Sequence, residues 1–455
     1  MAFGASIVRG LAGVFALVGI ASSAVSEPAR PRSTEAVRPQ ADAPWSDAWL
    51  LGHTATYLDD AQARRAALHA SLANHNNIYS RMRLAAYGLG RSGWDVLPAW
   101  NPTTRALDSD DVAALESGLR VRVGAAPRLW SGERPSTMQD WTSLGRSVFF
   151  RYPLRAEVSA EHAFATGAAA STGLERGPDG SVPGLVAYTD VDGTDRVGIT
   201  CALCHTAMDG GELVVGRARR SLDYGAMRLA YEHSVGDVDV RLAARMSSWG
   251  PGRADITEDD DQDPVAIPDL WRLRELRHLT QAATIVHDSP LALALRQETQ
   301  MLHANGERVR PPRELAWALA MYLYSLEPPA SAPVELDAGR GAELFEAHCR
   351  GCHRDANGSG EPVAAGRVGT DRALADGRAR GTGKYRPAPL IALADAAPYL
   401  HTGDVATVAD LLDPARLRPG YARGLHGSGP VPGHRFGTEL PAADRVALAA
   451  WLQTQ

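Results

Sequence analysis

Apolar positions recur with helical spacing in four parts of this chain. "DWTSLGRSVFFRYPLRAE", residues 140–157, is apolar-periodic and carries Phe149 and Phe150. "PPRELAWALAMYLYSLEPP", residues 311–329, predicts a helix with Pro312 near its start and the pair Pro328–Pro329 at its end. "DAGRGAELFEAHCRGCH", residues 337–353, places Leu344 and Phe345 on a helix that runs into two cysteines, and "ELPAADRVALAAWLQTQ" is the last helix. Further upstream, residues 59–98 predict two helices stopped by Gly88 and Gly90. The expected fold is mainly α, with long loops.

Breaks in this pattern mark the organisation. "EPPASAPVEL", residues 327–336, is rich in proline and small residues and reads as a semi-rigid linker. It separates a region 136–326 from a region 337–455, and a helical N-terminal region spans 45–135. At the start, Arg9 precedes the apolar run Leu11–Ile20, followed by small residues. That is the pattern of a secretory signal peptide, residues 1–24, with Ser22 and Ala24 as the small-x-small cleavage signal. The run is short for a membrane span. The proline-rich stretch 25–44 reads as disordered. Export to the periplasm and no stable membrane anchor are expected.

Composition changes this picture little. An apolar content of 45% is that of a globular protein, and a net charge of −6 with no basic run excludes a nucleic-acid partner. One lysine, Lys384, stands among 47 basic residues, so a buried anion such as a haem propionate would meet guanidinium groups.

The cysteines matter most. There are four, Cys201, Cys204, Cys349 and Cys352, and each lies in a CxxCH unit completed by His205 or His353. Two thiols one helical turn apart can reach the two vinyl groups of a porphyrin, and a histidine beside the second thiol can ligate the iron. Two such units with no cysteine left over predict two covalently bound c-type haems. A four-cysteine zinc site pairs CxxC units about 15–20 residues apart, which these are not. A redox dithiol has no need of the histidine. The expected architecture is two cytochrome c-like haem domains, 136–326 and 337–455, each closed by crossing its first and last helices, with Phe345 and Trp451 as a pair in the second.

The sixth iron ligands are less local. "RPAPLIALADAAPYLHTGDVATVADLL" and "IPDLWRLRELRHLTQAATIVHDSPLALAL" share a proline and leucine-rich start, two alanines, an apolar pair and a histidine. This weak repeat puts His401 and His287 in corresponding positions opposite the proximal histidines. No methionine follows Met321, so His401, His426 and His434 are the strong ligands left to the second region. For the first, Met208, Met227, Met246 and His233 compete with His287.

"LGRSVFFRYPL" ahead of one CxxCH, then a second CxxCH and "APYLHTG", resembles the bacterial di-haem cytochrome c peroxidase superfamily, which includes the MauG-type enzymes. "YRPAPLIALADAAPYLHTGDVATVADLLDP" is closest to its rubber-oxygenase-like branch. The resemblance covers residues 140–455 and implies His401 as distal ligand of the second haem. It departs from the peroxidase pattern in lacking a methionine ligand there. The acidic group such enzymes hold over the reactive haem is matched only by Glu232, through its proximity. A ligating His287 would close the first haem that an oxygenase needs open.

The acidic run "ADITEDDDQDP", residues 254–264, suits calcium, which the related peroxidases carry, although an exposed acidic loop is the simpler reading. Trp249 and Trp271 suit either core packing or an electron relay. Two functions are open to such a chain. With both irons six-coordinate it transfers electrons to or from a periplasmic donor or acceptor protein. With one haem open it is a peroxidase- or dioxygenase-like oxidoreductase acting on a small-molecule oxidant.

Overall fold

The helix-period segments fold as helices, and they meet in crossed pairs. A computed structural model describes residues 43–255, 257, 261–329 and 339–455. The expected signal peptide, nearly all of the stretch 25–44, and residues 330–336 of the linker lie outside these described residues. The fold is helix-rich, at 39% helix and 11% strand. Among the described residues no helix is long and apolar enough to cross a membrane.

Seven helices frame the two CxxCH units and their surroundings: α1 (Ile78–Ala86), α2 (Met138–Arg151), α3 (Cys201–Cys204), α4 (Pro290–Ala304), α5 (Arg313–Tyr324), α6 (Gly339–His348) and α7 (Ala442–Leu452). Thr137 caps α2, its hydroxyl accepting from Asp140 N at 3.2 Å. The helix ends at Tyr152, where Pro153 forces the preceding residue into extended backbone. Helix α5 is buried along its whole length from Leu315 to Tyr324, as expected of a helix apolar on every face.

Helix α5 crosses α2, and α7 crosses α6, through the same four-residue grammar. Gly145 lies so close to α5 that a Cβ there would stand 1.9 Å from the Ala318 carbonyl oxygen and 2.6 Å from Tyr322 Cβ. One turn on, Phe149 meets Tyr322 with ring centroids 5.4 Å apart. In the second pair a Cβ on Gly341 would stand 2.5 Å from the Ala447 oxygen and 2.3 Å from Trp451 Cβ. One turn on, Phe345 meets Trp451 at 4.7 Å. The expected aromatic pair is therefore formed. The glycines let the backbones approach, and the aromatic pairs fill the space beside them; full burial of one such ring stabilises by about 2–3 kcal/mol.

A four-stranded antiparallel sheet, which the helical pattern does not foretell, takes one strand from before α2 and three from the interval between α2 and α3. Its strands are β1 (Thr104–Ala106), β2 (Arg155–Ala156), β3 (Leu185–Thr189) and β4 (Asp195–Ile199), in the order β1-β3-β4-β2. Register is fixed by Leu185 opposite Ile199 and Thr189 opposite Asp195. Gly193, at φ +80°, turns the hairpin. Strand β4 leads straight into α3, so the sheet delivers the first CxxCH to the core.

The N-terminal region is helical as expected, with Ala61–Ser71 and α1 among its helices. It docks through a buried polar knot. Glu298 of α4 accepts from Tyr57 and Tyr87 hydroxyls at 3.1 and 2.7 Å and pairs with Arg313 at 3.2 Å. Burying one carboxylate is tolerable here because three donors surround it.

Candidate haem-attachment sites

Helix α3 is a single turn whose start is capped by Thr200, the hydroxyl accepting from Ala202 N at 3.3 Å. Thr200 N in turn donates to Gly184 O at 2.9 Å. Gly184 has φ +95°, and a Cβ on it would lie 2.1 Å from Leu203 N. Only glycine allows the strand to pass this close to the cysteine turn. Cys201 faces the core built around α2, α4 and α5, and Cys204 faces the core of the sheet. In the second region Cys349 N donates to Phe345 O at 2.8 Å, so the cysteine turn continues α6 directly, and Cys349 packs against the α6/α7 core.

No two of the four cysteines are joined in a disulfide. Burial pushes Cys201 up to about 12, with the neighbouring Cys204 adding to the effect. Burial likewise pushes Cys204 and Cys349 up to about 11. A redox dithiol needs the opposite shift, a thiol drawn toward thiolate by positive surroundings.

Both motif histidines are oriented in one way. His205 Nδ1 lies 3.0 Å from the Pro268 carbonyl oxygen. His353 Nδ1 bonds the Gly358 carbonyl oxygen. A carbonyl only accepts, so the neutral His205 ring donates through Nδ1–H and keeps its lone pair on Nε2; His353 meets the Gly358 carbonyl in the same way and is also within reach of the Ala388 carbonyl. Burial lowers both pKa values, that of His205 to about 4, so the rings are neutral at pH 7. A neutral imidazole with Nδ1 fixed by a carbonyl is the usual form of a metal ligand.

The candidate sixth ligands stand otherwise. His401 Nε2 lies 3.1 Å from Tyr385 Oη, which donates its own proton to Asp371 O at 2.8 Å. His401 must therefore carry its hydrogen on Nε2, and its ring lies tilted against that of Tyr385 with centroids 4.3 Å apart. His287 is 1% exposed and closed on both sides, with Nδ1 2.6 Å from Leu276 O and Nε2 2.6 Å from Tyr324 Oη. The weak repeat thus places each histidine beside a tyrosine hydroxyl, and neither ring pairs with a motif histidine.

The ring that does face a motif histidine is His434. Its centroid lies 6.4 Å from that of His353, with planes at 73°. Its Nδ1 is buried without a hydrogen-bond partner, and burial, then the neighbouring His353, lowers its pKa to about 4. The backbone holding it is unusual. His434 has φ +43°, and Gly433 before it has φ +89°. Arg416, 0% exposed, sends Nη1 to Val431 O at 2.7 Å and Nη2 to Gly433 O and His434 O at 2.7 and 2.8 Å. Its Nε reaches Leu411 O at 2.9 Å. One buried guanidinium thus clamps the loop on which His434 is displayed.

The two CxxCH regions are tied by Arg220, which lies beyond the first motif in the chain. Its Nε donates to Ala397 O at 2.6 Å and its Nη2 pairs with Asp269 at 2.9 Å. Ala266 N donates to His401 O at 2.8 Å. Met227 and Met246 are buried in the core, Trp249 packs with the sheet, and Trp271 packs beside Val215, donating to its carbonyl at 3.0 Å. Glu232 is half-buried on the helix Tyr224–Val235. In the acidic run, residues 256 and 258–260 lie outside the described residues. Asp255 Oδ1 accepts from Thr257, and Thr257 also donates to Asp263 at 3.1 Å.

A comparison with protein-family models gives no match, and a comparison with curated proteins gives none either.

Proposed function

We propose that this chain is an exported c-type redox protein carrying two covalently attached haems. Cys201 and Cys204 would hold the first, with His205 as its proximal ligand. Cys349 and Cys352 would hold the second, with His353 proximal. The supporting observation is the shared state of the two motif histidines: Nδ1 tied to a carbonyl and the ring neutral, beside half-buried thiols whose raised pKa values do not suit dithiol chemistry. The repeated crossing of α2 with α5 and of α6 with α7 supports reading the two regions as cytochrome c-like domains, in keeping with the resemblance to di-haem peroxidases.

The fit of an iron porphyrin to the second region is testable on the residues present. Two imidazoles on opposite sides of one ion, each at about 2 Å from it, have ring centres about 6–6.5 Å apart. His353 and His434 stand at 6.4 Å, and His434 keeps a buried nitrogen without a partner. We therefore propose that His434, rather than His401, would join His353 in holding the second haem. When bound, haem supplies one-electron redox chemistry, with a potential set by its axial ligands and surroundings. This chain's own residues fix ligand tautomers through the Pro268 and Gly358 carbonyls, present His434 through Arg416, and join the two regions through Arg220.

Electron transfer with a periplasmic partner protein is the primary reading. One observation favours the peroxidase- or oxygenase-like alternative for the first haem: His287 has both ring nitrogens occupied, so ligation would cost it the Tyr324 contact. The ferric visible spectrum separates the two. A high-spin component that shifts on adding cyanide or peroxide supports the alternative, and a purely low-spin, unreactive spectrum supports the carrier.

A further inference from the structure

A second cluster of titratable side chains lies outside the haem motifs, where three distant parts of the chain converge. Helix α1 presents Tyr79 and Arg83 on one face, four residues apart. Tyr79 is 5% exposed and Arg83 is 0% exposed. Arg83 donates Nε and Nη2 to Thr299 Oγ1 at 3.1 and 3.0 Å, but its buried Nη1 has no hydrogen-bond partner. The buried Tyr79 hydroxyl also has none. From the C-terminal region, Arg380 places its guanidinium 4.2 Å from the centre of the Tyr79 ring, where Arg83 stands at 4.9 Å. Helix α4 adds His303, whose ring lies 6.3 Å from that of Tyr79 and whose Nε2 is buried without a hydrogen bond. Arg296, seven residues earlier on α4, adds a third guanidinium whose charge reaches Tyr79 and Arg83.

The nearby acids are committed elsewhere. Glu298 is held by Tyr57, Tyr87 and Arg313. Glu307 accepts from Trp94 Nε1 at 2.8 Å and stands 3.6 Å from His303; Asp255 bonds Thr257, and its charge also acts on Arg380. Among the described residues no carboxylate pairs with Arg83, Arg296 or Arg380 at ion-pair distance. Holding one buried and two half-buried guanidiniums around one phenol is costly unless an anion joins them. Their forked donors suit a carboxylate better than a spherical ion.

We propose that Tyr79, Arg83, Arg296, His303 and Arg380 form a binding site for a carboxylate. The carboxylate comes either from a free small ligand or from a propionate of a haem held nearby; only the second source rests on the di-haem reading. Tyr79 reports on the site. Burial raises its pKa, but the guanidiniums of Arg83, Arg296 and Arg380 outweigh this and bring it down to about 8. A bound carboxylate would cancel part of their field and return the phenol toward its ordinary value. Above pH 8 the phenolate would compete with the ligand for the same cations.

The test is a titration of the full-length holoprotein with acetate, following phenolate absorbance, with Tyr79→Phe identifying the signal. If the source is a free ligand, acetate binds saturably and the phenolate midpoint rises; Arg83→Gln and Arg380→Gln each weaken binding by about ten-fold or more, as loss of a charged donor would. If the source is a propionate, acetate has no effect, and the reduction midpoint of one haem falls in both variants because a cation has left its side chain. Neither acetate binding nor a change in potential, in variants that melt as the parent does, overturns the site. Arg380 is only half-buried, so Arg380→Gln decides the matter if Arg83→Gln fails to fold. A protein without haem would sink the functional reading and leave the acetate arm in place.

Discussion

The rings of His353 and His434 meet edge to face with centroids 6.4 Å apart, although 80 residues of sequence separate them. The buried His434 Nδ1 has no hydrogen-bond partner. Under the proposed assignment, His434→Ala converts one of the two haems from low spin to high spin and makes it bind cyanide. His401→Ala leaves that spectrum unchanged, because His401 bonds Tyr385 instead. Electron paramagnetic resonance of the two variants checks this, and the reverse pattern would restore His401 as the ligand.

Under the same assignment, Arg416 would act on iron only through His434. Its four backbone carbonyl contacts pin residues 411 and 431–434. Arg416→Met removes these bonds and leaves buried carbonyls unpaired, a loss of about 3 kcal/mol or more. The expected result is a lower melting temperature and a partial low-spin to high-spin change at the same haem as in His434→Ala. A purely structural arginine would lower stability without touching the spectrum.

The helix crossings give a sharper steric test. In the middle of a helix, glycine to alanine normally gains about 1 kcal/mol of helix propensity. At Gly145 the new methyl would sit 1.9 Å from a backbone oxygen that cannot move without shifting α5. Overpacking therefore wins, and Gly145→Ala is expected to destabilise by about 1–3 kcal/mol. Gly341→Ala should behave likewise. Gly52, with open space around it, is the control, where alanine is expected to be neutral or slightly stabilising. Chemical denaturation of the three variants decides.

His287 sets a pH dependence. Burial lowers its pKa to about 4, from the 6.5 of a free histidine. The unfolded chain therefore binds more protons than the folded one between those values. The stability this neutral histidine contributes is complete above pH 6.5 and lost as pH falls toward 4, by about 3 kcal/mol in all. Replacing His287 with glutamine, which retains hydrogen-bonding groups but does not titrate, is expected to flatten the stability profile across that window. An unchanged slope would mean that His287 is not neutral in the fold.

Local signals proved the more legible. The CxxCH spacing lies within one helical turn, and the prolines around residues 311–329 mark a helix observed at Arg313–Tyr324. The Phe345–Trp451 contact was readable because each residue lies on a strongly periodic helix. His434 could not be singled out the same way. It sits in a loop whose shape depends on Arg416, eighteen residues earlier, and on left-handed backbone at Gly433 and His434. The only signals were the lack of methionine beyond Met321 and a glycine before the histidine. His401 and His287 share a sequence pattern, yet what decides their roles is a tyrosine from another segment, Tyr385 or Tyr324. The β3–β4 hairpin carries a signal in the β-branched residues flanking Asp192–Gly193, but its strands are short and lie between stronger helical periods.

Covalent attachment at both motifs is the claim on which the functional reading stands. It is tested most directly by expressing the chain with a haem-attachment system, denaturing it, washing with acidified acetone, and counting the haem retained. Two haems per chain are expected, falling to one when Cys201 and Cys204 are both replaced by alanine and to one when Cys349 and Cys352 are. A parent chain that emerges colourless, or keeps a single haem, would contradict it.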